Sequence, residues 1–164
     1  MSMIGNLLRV KKSELDEYLQ DSSLLEERIY QDDAEEPNLI DIDKAWEGII
    51  FLLTGSNLAE AEDPLVAILF SGQLLDEEQD LGYGPAHYLT PEQVVELNDE
   101  LAKFRVEDLK EKFNTEKMME LGVYPEIWDE GDQAFDYLSE YFLILQQFYS
   151  TAAVNNEAVI TYLS

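Results

Sequence analysis

His87, the one histidine of the chain, stands in "LGYGPAHYL" behind two glycines and a proline, and it is the first residue that could do chemistry. Imidazole titrates near neutral pH and can move a proton. A catalytic triad or a histidine-rich metal site needs further partners, and the chain has no second histidine and no cysteine. His87 would have to act alone, either lining a cleft beside the turn or serving as a structural hydrogen-bonder on a short strand. "GYGP" reads as turn chemistry, because a phosphate cradle needs the GxGxxG spacing between a strand and a helix.

Carboxylates are the other chemical resource. "WDEGDQAFD" gathers Asp129, Glu130, Asp132 and Asp136, and hard cations take oxygen ligands. The spacing does not match a calcium loop, which alternates its acids ahead of a glycine and closes on a distal glutamate. Acids at the start of a helix, where the dipole favours negative charge, are the simpler account. No metal, no cofactor and no catalytic residue is expected. With 36 aspartates and glutamates, chance proximity hides any informative carboxylate pair. If a small-ligand or enzyme cleft exists, its expected lining is the "GYGPAHY" turn with its aromatic neighbours: Trp46, Tyr83, His87, Tyr124 and Trp128.

These residues need elements to hold them. "MIGNLLRV" reads as an opening strand, followed by a helix from Ser13 carrying Leu15, Tyr18 and Leu19, and by a second around Leu24, Leu25 and Ile29. "QDDAEEPN", residues 31–38, reads as a solvated acidic loop. "IDIDKAWEGIIFLLTG", residues 40–55, reads as a buried helix from Lys44 to Thr54, with Asp43 as N-cap and Gly55 as its left-handed end. Trp46 is then core scaffold rather than a stacking platform. "EDPLVAILFSG" repeats the pattern in short form, with Asp63 as cap and Pro64 in first position. Ala86 to Leu89 forms a short strand. Thr90, Pro91 and Gln93 open the next helix as a capping box, with Val94, Leu97, Leu101 and Phe104 as its stripe. Two short helices span about Val106 to Phe113 and Asn114 to Leu121. The most regular element carries Ala134, Phe135, Leu138, Tyr141, Phe142, Leu145, Phe148, Tyr149 and Ala152 at helical spacing. "AVITYLS" closes the chain as a strand suited to pair with the first. The expected fold is α+β: one compact domain over 1–164, with six to eight helices and a small sheet that includes both terminal strands.

The formal charge is −26, from 36 acids against ten bases, and residues 45–102 contain no lysine or arginine. Such a surface repels phosphate backbones, so nucleic-acid binding is excluded. It attracts a basic protein partner, although charge of this kind also serves solubility alone. Crowded carboxylates are expected to raise one another's pKa and move the stability optimum to mildly acidic pH. No stretch has the length and apolarity of a membrane span, and no secretory signal is present, so a soluble cytoplasmic protein is expected, monomeric or weakly homodimeric.

"LIDIDKAWEGIIFLLTGS", "DPLVAILFSG", "DLGYGPAHYLTPEQV" and "GVYPEIWDEGD", with the opening "MSMIGNLLRV" and the ending "EAVITYLS", resemble the YfbM-like family of small bacterial proteins of unknown function. The likeness runs over essentially the whole chain. It implies a compact α+β domain and carries no activity, cofactor or catalytic set. Where the family commonly has arginine after "GYGPA", this chain has His87. The expected function is a non-catalytic acidic protein that binds a basic or complementary protein partner, inhibitor-like or immunity-like. The alternative is a small-ligand or enzyme domain with its cleft near "GYGPAHY".

Overall fold

The structure is a computed structural model and describes residues 2–31 and 36–164. The middle of the acidic loop expected over 31–38 therefore lies outside the described residues. Strand β1 (Gly5–Val10) pairs antiparallel with β4 (Ala158–Leu163) over its full length, from Gly5 opposite Leu163 to Val10 opposite Ala158. β2 (Leu39–Asp41) adds to the outer side of β1, and β3 (His87–Leu89) to the outer side of β4, giving the order β2-β1-β4-β3. The helices are α1 (Lys12–Gln20), α2 (Ser23–Ile29), α3 (Trp46–Thr54), α4 (Pro91–Leu101), α5 (Val106–Lys112), α6 (Thr115–Glu120) and α7 (Asp132–Val154). This is the helix-rich α+β fold expected, with both terminal strands at the centre of the sheet.

Side chains alternate across a strand, so each face of the sheet buries its own set. Leu7 and Val159 face a larger core with α3, α4 and α7, while Leu8, Val10, Ala158, Ile160 and Tyr162 face a smaller one with Leu15, Tyr18, Leu25, Leu75 and Leu81. Burial on both sides explains why "NLLRV" and "AVITYL" read as apolar runs rather than as alternating strands.

Several boundaries follow local chemistry. Thr90 Oγ1 accepts from Gln93 N at 3.3 Å while Gln93 Oε1 accepts from Thr90 N at 2.9 Å, the reciprocal capping box that starts α4. Asn114 accepts from Lys117 N and starts α6. Asp63 caps the segment behind it, but Pro64–Ile68 winds as a short 3-10 helix rather than an α-helix. Asp43 does not cap α3. It adopts a left-handed backbone (φ 49) and its carboxylate accepts the Tyr137 hydroxyl at 2.6 Å, so the N-cap moves to Ala45. The first helix begins at Lys12 rather than Ser13, with Leu19 exposed, and Phe104 lies beyond the end of α4. β2 is a further strand beyond those expected, formed by "LID" pairing with β1.

α3 buries all its residues from Trp46 to Leu53, including Gly48. A Cβ built on Gly48 would sit 2.6 Å from Leu138 Cδ2 and 2.8 Å from Trp128 Cη2. Alanine is the better helix former by about 1 kcal/mol, yet overpacking at this contact costs about 1–3 kcal/mol. Gly48→Ala is expected to lower stability in denaturant titration; a stabilised variant would show that α3, Trp128 and Leu138 can separate without cost.

Candidate functional site

An open groove of about 1130 Å³ lies between α4 and the Pro64–Ile68 turn. The sequence of α4 places one helical face along it, because residues three and four apart share a face: Gln93, Glu96, Leu97 and Glu100 line one wall. The opposite wall runs from Glu62 and Asp63 through Val66 to Phe70, Ser71 and Gln73, and Leu53, Leu65 and Leu89, with Leu97 at the foot of the α4 wall, supply an apolar floor. Gln73 bonds Gln93, so the walls run antiparallel and the amides mark one end. Phe104 marks the other end, with Lys112 Nζ 5.3 Å from its ring centroid and Lys103 beside it. Lys103 is paired with Glu100 at 3.0 Å, and both are exposed. Four carboxylates against two ammonium groups leave the rim negative.

The amides are held from behind. Gln73 Nε2 donates to Gln93 Oε1 at 2.8 Å and to Tyr88 O at 2.9 Å, while Gln93 Nε2 donates to Gln73 Oε1 at 3.1 Å. Ser71 Oγ also donates to Tyr88 O, at 2.7 Å, so the end of this wall is tied to β3. The sequence offered only the capping signal at Gln93; nothing in it points to Gln73, some 20 residues earlier, as its partner.

The five aromatic and imidazole residues expected around "GYGPAHY" do not line one cleft. Three of them join a row behind the groove: Tyr124 stacks on Trp46 at 5.5 Å, Trp46 meets Phe70 edge-on at 5.7 Å, and Phe70 meets His87 edge-on at 5.5 Å. Phe70 is the member that also reaches the groove. Trp46 Nε1 donates to Met3 O and Tyr124 Oη accepts from Met3 N, both at 2.9 Å, so the row clamps the start of the chain. Tyr83 is 39% exposed, on the turn between Gly82 and Gly84. Trp128 is 0% exposed, packed against Gly48, with its indole N–H bonded to Val123 O at 2.8 Å. It lines no cleft, because its volume is needed where α3 and α7 meet.

His87 Nδ1 accepts from Gly72 N at 3.1 Å, which requires a neutral imidazole with that nitrogen unprotonated. Burial lowers its pKa below the ordinary value. The shifts among carboxylates also run downward rather than upward: Asp80 is lowered by N–H groups of Gly82 and Gly84, Asp76 by the Ser22 hydroxyl and Glu78 N, and Glu36 by Arg28. The expected rise from crowding is not what these groups show, since each is stabilised by donors of its own. Glu47, 9% exposed, accepts from Tyr124 N at 2.8 Å and Leu58 N at 2.9 Å, a structural use of a buried carboxylate. Among the described residues no group of three or more His, Cys, Asp or Glu converges to hold a metal ion, and no helix is long and apolar enough to cross a membrane.

Residues 1–162 match the family model described as a domain of unknown function, DUF1877. The chain belongs to this family. Among solved structures it is similar to YfbM from Escherichia coli, described as a protein of unknown function, with 18% identity, a TM-score of 0.77, and coverage of 99% of this chain and 100% of that one. Likeness at that identity shows a shared fold. No curated protein matches the sequence. The groove of this DUF1877 domain, with its amides, carboxylates and apolar floor, is therefore read from its own residues.

Two outcomes test the site's framework. Glu47→Ala leaves two backbone N–H groups without their acceptor and is expected to cost about 2–3 kcal/mol in denaturant titration; an unchanged midpoint would mean that water replaces the carboxylate freely. His87, whose folded pKa lies below its unfolded value, binds fewer protons when folded, so its contribution is present above the ordinary histidine pKa and is lost as pH falls from it toward the folded value. Wild type is expected to lose more stability between pH 7 and 5 than His87→Gln, measured by melting in matched buffers; equal losses would show that His87 is not the group titrating.

Proposed function

We propose that this domain is a non-catalytic interaction protein whose groove holds a basic segment of a protein partner, anchored by apolar side chains. The observation that carries this reading is an apolar floor of Leu53, Leu65, Leu89 and Leu97 under a rim bearing Glu62, Asp63, Glu96 and Glu100. Burying apolar side chains on such a floor supplies affinity, and a field of one sign supplies on-rate and selects against acidic partners. All these residues come from the stretch 45–102, which has no lysine or arginine of its own, and Lys103 and Lys112 at the Phe104 end offset only part of the charge. A partner whose own function uses that basic segment would be blocked while bound, which is how the inhibitor-like or immunity-like form of the proposal would operate.

A small-molecule reading centred on "GYGPAHY" has less support. Trp46 and Tyr124 stack on each other and bond Met3 through their polar atoms, and its histidine spends Nδ1 on Gly72. Absence of cysteine fits the reducing cytoplasm. Two copies of formal charge −26 repel, so a monomer or a weak homodimer is the proposed state.

A fluorescein-labelled heptapeptide of alternating lysine and leucine is the probe, titrated with wild type and with the Glu96→Gln, Glu100→Gln double variant. At low salt the double variant is expected to bind about tenfold more weakly, and wild-type affinity is expected to fall as salt rises. Affinity that is equal for both proteins and indifferent to salt would overturn the proposal.

A further inference from the structure

The Gln73–Gln93 pair has hydrogen-bonding capacity that its protein partners do not use up. A primary amide has two N–H donors and two acceptor lone pairs. Gln73 Nε2 spends both donors, on Tyr88 O and Gln93 Oε1, and Gln93 Oε1 spends both lone pairs, on Gln73 Nε2 and Thr90 N. Gln93 Nε2 and Gln73 Oε1 bond each other once, which leaves one N–H on the first and one lone pair on the second, with no protein partner among the described residues. Both side chains line the groove.

The satisfied face of the pair shows what the other face fits. It is held by Tyr88 O and Thr90 N, the carbonyl and N–H that flank Leu89 where the backbone is extended. Cyclic pairing of two amides repeats the same donor and acceptor on its opposite side. We propose that the segment bound in the groove is extended, and that it sets a backbone carbonyl on Gln93 Nε2 and the N–H two residues further on Gln73 Oε1, as β3 does from behind. This inference rests on the docking reading and specifies its partner. A helical segment could not make these bonds along its length, because its carbonyl and N–H groups are spent on one another. An extended segment sends alternate side chains to opposite sides. One set would reach the apolar floor and the other the carboxylate rim, so the recognised motif alternates basic and apolar residues.

The test uses the same labelled lysine–leucine heptapeptide, a copy N-methylated at its central amides, and a helix-stapled peptide of the same composition. Wild type is expected to bind the unmodified peptide at least tenfold more tightly than either of the others. The Gln93→Glu variant separates main-chain recognition from charge. It keeps the acceptor for Thr90 N and removes both N–H groups of Gln93 Nε2, the one bonded to Gln73 Oε1 and the free one, while adding a negative charge. Main-chain recognition predicts that it weakens binding of the basic peptide several-fold, whereas docking by charge alone predicts that it strengthens binding. Equal affinity for the methylated and unmodified peptides, with tighter binding by Gln93→Glu, would overturn the extended-segment inference and leave the acidic groove standing. Failure of wild type to bind any of the three peptides would overturn both. Circular dichroism melting of Gln93→Glu checks its fold, and the methylated peptide tests the inference on wild type alone.

Discussion

The ladder between β1 and β4 joins the two ends of the chain, and both cores are built on its faces. Six residue pairs are in register, and beyond them Ile4 N donates to Ser164 O at 2.9 Å while Ser164 N donates back to Ile4 O at 3.0 Å. The buried Asn6 amide donates to Ser164 Oγ at 2.8 Å and to Ile4 O at 3.1 Å, so the polar group inside the ladder is satisfied by the ladder's own end. Until these ends meet, neither Leu7 and Val159 nor Leu8 and Ile160 have a surface to pack on. The entropy of closing so long a loop grows only with the logarithm of its length, and burial on both faces of the two strands offsets it.

The same constraint reaches the groove through aromatic packing. Met3, just ahead of β1, is held by Trp46 and Tyr124, Trp46 meets Phe70, and Phe70 forms part of the groove wall. On the other side, β3 supplies Tyr88 O, and Thr90 just after it supplies its N–H, to the amide pair, and β3 is itself placed by pairing with β4. The wall that carries Gln73 and the wall that carries Gln93 are thus positioned by the same four-stranded sheet. The groove's shape is therefore set by the fold itself.

Charge and structure divide the acids between two kinds of work. Some are local: Asp80 holds the turn at Gly82 and Gly84, Asp76 accepts Ser22 and Glu78 N, Asp63 caps the 3-10 segment, and Asp43 takes the Tyr137 hydroxyl. Others, such as Glu96, project from the outer face of a helix whose inner face is core. The downward pKa shifts belong to the first kind, where a donor stabilises the ionised form. Net charge alone could not separate these uses, since it counts every carboxylate alike.

Much of the fold was legible in the residues because its strongest signals are periodic or local. The spacing of Leu138, Phe142, Leu145, Tyr149 and Ala152 marks α7, the Thr90–Gln93 box marks the start of α4, and the β-branched runs at the two ends mark β1 and β4. Local signals failed where a distant group competed for the same side chain. Asp43 looks like a helix cap, yet the Tyr137 hydroxyl, from 94 positions away, takes its carboxylate. Trp128 looks available in an irregular segment, yet Gly48 opens a space for it against α3. Gln93 reads as a cap and is one; that it also forms half of an amide pair depends on Gln73, which only the packing of β3 brings within 2.8 Å. Composition and short-range spacing are properties of neighbours along the chain, so the sequence by itself determined most element types, the central strands, the caps at Asp63, Thr90 and Asn114 and the sign of the field. The groove, its floor and its amide end are contacts between residues far apart in the chain, and tertiary packing alone decided them.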